Sequence, residues 1–255
     1  MRDIEKILSN NIDRLMPGIS TTSVVFGFSE GKIHVLVSKL KEMNLWMIPT
    51  GYVFEDENLN DAAKRILNDR IVVKEKFIDQ FYTFGQLNRA TSKEENFVLF
   101  SRFLKNKKIE NWFNQRFISV GFLVMVRMED CELKLDTFSD DVKWVPVDKL
   151  PNLIFDNKDL IEYALNYMKL RASHLPIARY LLNPKFTMKE IQHLYEQLFN
   201  KKADRGNFQK RILKLDILNR HEKQMTGNAH RAPYLYSFNE KRYKLYKINN
   251  QDIMG

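Results

Sequence analysis

The segment IPTGYVFEDENLNDAAKRILNDR (48–70) passes from a β-like run through a short acidic loop into helical periodicity. Leu59, Ala62, Ala63, Ile66 and Leu67 recur at i, i+3, i+4, i+7 and i+8, so one stripe of the helix is apolar and must pack on something. The preceding runs TTSVVFGF (21–28) and KIHVLVSK (32–39) are rich in β-branched and aromatic residues. Ser29-Glu30-Gly31 joins them as a hairpin, which opens an antiparallel sheet. Further β-like runs at 78–84, 117–127 and KWVPVDKL (143–150) and a helix at 158–171 complete the pattern. Strand, loop and helix around one sheet give an α+β domain.

The 255 residues allow one large or two modest domains, and 18 Phe and 10 Tyr can fill their cores. Residues 1–18 read as an N-terminal helical arm, with Ile4, Ile7, Leu8 and Ile12 on one face of a helix over 3–15 that ends at Pro17-Gly18. Residues 19–172 form the α+β unit, with an insertion near 92–115 in which Phe97, Phe100, Phe103 and Leu104 fall on one helix face. Residues 173–184, with two prolines and the apolar Ile177, Tyr180, Leu181 and Leu182, read as a packed connector to a third unit at 185–248. No apolar run approaches the roughly 18 residues of a membrane span, and MRDIEKILSNN is too charged for a secretory signal, so a cytoplasmic location is expected. The single cysteine rules out an internal disulfide, and the five histidines never cluster at zinc-ligand spacing, so neither a structural metal nor a cofactor is expected.

The formal charge of +9 is unevenly placed. Residues 1–170 carry 24 Lys and Arg against 25 Asp and Glu, a net of −1, whereas residues 171–255 carry 17 against 7, a net of +10. A small, strongly basic unit beside a neutral one suits phosphate backbones through counterion release, or is simply a soluble basic surface.

The sequence of that basic unit narrows the choice. FTMKEIQHLYEQLF (186–199) opens with Thr187 and Glu190 at capping-box spacing, and Ile191, Leu194, Tyr195 and Leu198 make its apolar face. After a polar turn, Asp204 reads as the N-cap of RGNFQKRILKL, where Phe208, Ile212 and Leu215 face inward. Two helices joined by a short turn, the second presenting Arg205, Asn207, Gln209, Lys210, Arg211 and Lys214, are what major-groove reading requires. ILNR (217–220), a polar loop and YLYSF (234–238) read as a wing hairpin, placing Lys223, His230 and Arg231 toward phosphate or minor groove. A basic helical hairpin for protein contacts, or an RNA-binding unit, would share this composition.

From Gly51 to Val73 the chain resembles the Nudix box without gaps: Gly51, Glu57, Arg65, Leu67 and Val73 stand where that motif expects them. The three late glutamates are replaced by Ile66, Asp69 and Arg70, and the late glycine by Val72. In active members this helix gathers carboxylates that hold Mg²⁺ against a diphosphate. Ile66 offers no oxygen and Arg70 a fixed positive charge, so no diphosphate hydrolysis is expected. QFYTFGQLNRA (80–90), RFISVGFLV (116–124) and KWVPVDKLPNLIFDNKDLI (143–161) extend the resemblance to the Nudix-related transcription regulators, a prokaryotic group joining a Nudix-like domain to a winged helix. Asp204, Arg205, Asn207, Phe208 and Arg211 match that group's winged helix, whereas Gly206, Gln209 and Asn157 depart from its usual residues.

The resemblance implies a Nudix α/β/α sandwich followed by a winged helix-turn-helix. It also implies a homodimeric DNA-binding repressor with a non-catalytic ligand sensor, acting on a double-stranded operator with half-sites about 10 bp apart or multiples of it. Effectors within the group include ADP-ribose and, in a sugar-metabolism subgroup, arabinose-type sugars. Trp46, Tyr52 and Phe84 as stacking faces, with Thr50, Arg89 and Arg116 as polar contacts, are the candidate ligand residues, each also readable as core or surface. The rival is a Nudix-type hydrolase using Glu55, Asp56 or Glu57 with a nucleic-acid-binding tail.

Overall fold

The computed structural model describes residues 10–87, 89, 106–113, 115–174, 176–223 and 232–249. Strand β1 (Leu15–Ser29) turns at Glu30 and Gly31, both in the left-handed region at φ 51° and 74°, into β2 (Lys32–Leu40). Positive φ at both central residues is the two-residue turn whose twist matches the strands, and Gly31 makes it accessible. The sheet has seven strands, in the order β3 (Trp46–Met47), β2, β1, β7 (Ile118–Met125), β6 (Phe77–Phe84). β4 (Thr50–Phe54) pairs with β1 and β9 (Ser139–Pro146) with β2. β1 and β7 run parallel over eight residue pairs from Ile19↔Ile118 to Phe26↔Met125. A separate short pair joins β5 (Ile71–Val72) to β8 (Glu132–Leu133).

Alternation along β1 and β7 sends successive side chains to two cores. Val25 and Val124 cluster with Leu67 of helix α1 (Leu59–Asn68), while Val24, Phe26, Leu123 and Met125 cluster with Leu160, Ile161, Ala164 and Met168 of α3 (Asn157–His174). Burying Ile66 and Leu67 contributes roughly 1.5–3 kcal/mol each. The close seat of α1 depends on Gly51: a Cβ built there would lie 2.7 Å from Ile66 Cγ1 and Cδ1. Between β6 and β7 the short helix α2 (Lys107–Phe113) buries Ile109 and Trp112 against Ile12 and Leu15. The apolar face expected from Phe97 to Leu104 lies outside the described residues.

Most of the expected N-terminal helix, residues 1–9, lies outside the described residues. Asn10 and Asn11 are helical and Ile12–Arg14 form one 3-10 turn, and only the expected stop is corrected, because Pro17 and Gly18 sit inside β1. Pairing with β4 decides this. Its register slips between Leu15 and Ser20, and that irregularity accommodates Pro17 and the left-handed Gly18, φ 73°.

The main core continues without a break through the short helix α4 (Ala178–Leu181) into the last third. Ile177, Leu181 and Leu182 are buried in it, and Tyr180 packs against it partly buried. There α5 (Met188–Phe199) and α6 (Arg205–Lys214) pack beside a three-stranded sheet of β10 (Phe186–Thr187), β12 (Tyr234–Phe238) and β11 (Leu218–Lys223), followed by α7 (Glu240–Asn249). Ile191, Leu194, Tyr195, Leu198, Phe208 and Ile212 are buried as their spacing demands, whereas Leu215 is half-buried against the same core. Neither β10 nor α7 was expected from the sequence. Among the described residues no helix is long and apolar enough to cross a membrane.

Candidate functional site

The box positions are occupied by structural contacts. Glu57 accepts the Phe54 N–H at 2.9 Å and the Arg65 Nε–H at 3.0 Å and meets the Arg65 Nη2, which also donates to the Tyr52 carbonyl at 2.8 Å. Burial opposes ionisation of Glu57, but hydrogen bonds from Arg65 and Phe54 outweigh it and hold the carboxyl below the usual carboxylate range. Ile66 is buried over Gly51, and Asp69 is the C-cap residue of α1. Arg70 turns inward: its Nη1 donates to the Ile66 carbonyl at 3.0 Å and its Nη2 to the Thr50 carbonyl at 3.3 Å, and Nη2 lies 2.5 Å from Asp136 Oδ2. Both partners are about 93% shielded from solvent, with side chains only 6% and 7% exposed. Asp56 faces Arg14 on the exposed surface. Among the described residues no group of three or more His, Cys, Asp or Glu stands close enough to hold a metal ion.

The six candidate ligand residues divide. Trp46 is buried with Lys143 Nζ 4.0 Å from its ring centroid, and Phe84 is 2% exposed. Both are core residues, the alternative that the sequence left open for each; burial depends on partners that β3 and β6 acquire only in the folded sheet. Thr50 and Tyr52 share one face of β4. The Thr50 hydroxyl lies 3.2 Å from Thr22 Oγ1, which is 2.8 Å from Ser119 Oγ, so three strands are linked by hydroxyls. Tyr52 packs edge-on to Trp112 at 4.5 Å and against Phe117 at 5.2 Å, and burial raises its phenol pKa. Arg89 pairs with Asp156 at 2.6 Å and stands 5.8 Å from the Phe84 ring, while the exposed Arg116 donates to the Gly85 carbonyl. Phe84, Arg89 and Arg116 therefore meet at the end of β6, whereas Trp46 lies at the opposite edge of the strand order.

Sequence reasoning missed Thr22, Ser119, Asp156 and the half-exposed pair Tyr82 and Tyr163, whose rings stand 5.2 Å apart beside Phe84. The run Ser20-Thr21-Thr22-Ser23 was the available signal, four polar residues buried inside a strand. Asn157 is also buried and accepts the Ile48 N–H at 2.9 Å, tying the start of α3 to the entry of β4.

In the last third, Thr187 and Glu190 close the capping box on α5, and Asp204 caps α6 by accepting the Asn207 N–H at 2.9 Å. The turn between them is clamped from α5. Glu196 accepts the Ala203 N–H at 3.0 Å, and Gln192 Nε2 donates both to Glu196 and to the Ala203 carbonyl at 3.0 Å. These hydrogen bonds, the Ala203 N–H first, pull the Glu196 carboxyl down to about 2. On α6, Arg205, Asn207, Lys210, Arg211 and Lys214 are exposed, and Gln209 is half-buried. Among the described residues, none of the four cations of that helix is ion-paired. On the wing, Arg220 lies over the Tyr234 ring at 3.5 Å and Lys223 at 5.2 Å; His230 and Arg231 lie outside the described residues.

Residues 178–238 match the family model described as the NrtR DNA-binding winged helix domain. Over 251 residues the chain is 21% identical to a protein of Acinetobacter baylyi described as the ADPR responsive transcriptional repressor NtrR, covering 92% of this chain and 90% of that one. The solved structure of Shewanella oneidensis NrtR complexed with a 27mer DNA resembles it with a TM-score of 0.68 at 23% identity, covering 89% of this chain and 95% of that one. A MutT/nudix family protein from Enterococcus faecalis gives a TM-score of 0.62 at 16% identity, covering 92% and 93%. These likenesses establish the fold, a Nudix sandwich followed by a winged helix.

Proposed function

We propose that this chain, which belongs with the Nudix-related transcription regulators by its NrtR-type winged helix and its two-part fold, is a ligand-responsive DNA-binding repressor whose Nudix-like domain senses rather than hydrolyses. The observation that carries the reading is the outer face of α6. Four cations and an amide stand exposed there without carboxylate partners among the described residues, on a helix whose opposite side, Phe208 and Ile212, is fixed in the core. Such a face gains by meeting phosphates and base edges. We divide the chain into a sensor at 19–172, a connector at 173–184 and a winged helix at 185–248, and expect a two-fold dimer on a palindromic operator.

The non-catalytic reading rests on Arg70. A buried guanidinium paired with Asp136 fills with protein charge the region where active relatives gather carboxylates for a cation. The effector in this reading is a sugar or sugar nucleotide held near Tyr52, Thr50 and the end of β6. Arg65, Arg70 and Arg89 each face a carboxylate, which favours an uncharged sugar over a diphosphate.

The test is fluorescence anisotropy on duplexes from the chain's own upstream and neighbouring promoters at stated salt. Wild type binds one of them specifically; Asn207→Ala and Lys210→Ala weaken it, the former by about 1–3 kcal/mol if Asn207 reads a base edge. Arabinose-type sugars and ADP-ribose are then titrated, since an effector must bind the two states unequally to release DNA. Specific binding unchanged in both variants refutes the helix assignment. Mg²⁺-dependent turnover of ADP-ribose that disappears in Glu57→Gln refutes the non-catalytic sensor.

A further inference from the structure

A cavity of about 500 Å³ lies where the first turns of α5 and α6 meet the start of the wing strand β12, lined among others by Thr187, Lys189, Glu190, His193, Arg205 and Pro233. None of these residues is a box position, and of them the sequence singled out only Arg205 as a DNA contact. The charges are set by what is already engaged. Glu190 spends its carboxylate on the Thr187 N–H at 2.6 Å and hydroxyl at 2.8 Å. Lys189 and Arg205 are exposed and, among the described residues, form no ion pair. His193 adds a ring nitrogen that can donate. Three donors from two helices thus converge on one concave space with one carboxylate, whose Oε2 is turned onto its own helix cap.

We propose that this cavity is a seat for one backbone phosphate of duplex DNA, held by Lys189 and Arg205 together with His193. The inference rests on the DNA-binding reading above and gives it a sequence-independent anchor. Arg205 belongs both to the cavity and to the exposed face of α6, so a phosphate held there fixes where Asn207 and Lys210, the next exposed residues along the helix, reach the groove. Phosphate contacts set register and orientation while base contacts specify. The seat also borders the sensor sheet: a Cβ built on Gly31, in the β1–β2 turn, would lie 3.8 Å from His193 Nδ1.

A seat shared by two cations differs measurably from two separate surface charges. Counterion release counts phosphates neutralised, with log K falling by about 0.9 per phosphate for each decade of salt. The full-length protein is titrated onto a fluorescein-labelled, mixed-sequence 30-bp duplex at several salt concentrations, as wild type, Lys189→Ala, Arg205→Ala and the double variant. Circular dichroism melting checks that each is folded. The shared seat predicts that the double variant flattens the salt slope by about 0.9, no more than one phosphate's worth, with each single variant losing part of that amount. A double-variant loss near ~1.8 would mean two independent contacts, and an unchanged slope would mean none; either overturns the seat. Replacing chloride by inorganic phosphate at equal ionic strength identifies the source. Weakening of wild type beyond that of the double variant is competition for the seat and supports it, whereas equal weakening of the two overturns it. Stabilisation of wild type by phosphate in the melts with no weakening of DNA binding assigns the cavity to free phosphate and also overturns it. Failure of wild type to bind any duplex refutes the DNA-binding reading itself, a different result from a bound duplex with an unmoved slope.

Discussion

Asp136→Asn removes the charge that faces Arg70 and leaves the guanidinium buried. Breaking a buried ion pair from one side costs about 3–5 kcal/mol because the remaining charge stays desolvated. Two features place this pair at the lower end. Arg70 keeps its donations to the Ile66 and Thr50 carbonyls, and Asp69 remains near enough to act on it electrostatically. The expected loss is therefore about 3 kcal/mol, which with a urea m-value near ~3 kcal/mol/M lowers the unfolding midpoint by about 1 M. Urea titrations followed by tryptophan fluorescence measure it, since Trp46 and Trp144 sit in the sheet's two cores. The control is Arg70→Met with Asp136→Leu. Replacing both charges by apolar groups of similar volume is often neutral or stabilising, so the double variant recovers most of the loss. A midpoint for Asp136→Asn within about 0.2 M of wild type would show that the pair is solvated and that Arg70 does not serve as a buried internal cation.

Two further perturbations probe the parts that present the site. Glu196 has a depressed folded-state pKa of about 2, so the stability it contributes is fully present above the ordinary glutamate value near ~4.3 and is lost as pH falls from there toward about 2. Acid titration of the winged helix by circular dichroism should show that loss in wild type and a smaller one in Glu196→Gln, whose DNA affinity at neutral pH falls several-fold as the turn before α6 loosens. Equal acid sensitivity of the two proteins would contradict the clamp. Gly51→Ala sets a methyl group 2.7 Å from Ile66 and should cost about 1–3 kcal/mol by overpacking; combined with Ile66→Ala the costs should fall short of their sum, measured by thermal melting.

What could be read from the sequence was local, and what could not was assembled by partners. The capping box at Thr187 and Glu190, the N-cap at Asp204 and the apolar stripe of α1 are specified within a few residues of themselves, and each stands where its spacing placed it. Pro17-Gly18 carries the same local signal as a helix stop, yet β4 recruits it into a strand across an irregular register that no nearby residue announces. Trp46 and Phe84 have the side chains of a sugar-stacking site; only the sheet order shows that both face the core. The phosphate seat is the clearest case, because Lys189 and Arg205 lie on different helices and Pro233 just before β12. Arg70 joins the two kinds of inference. Its charge at a box position was legible and argued against a bound cation, but the partner that makes that charge tolerable, Asp136, stands 66 residues away beyond β7 and is supplied by the fold alone.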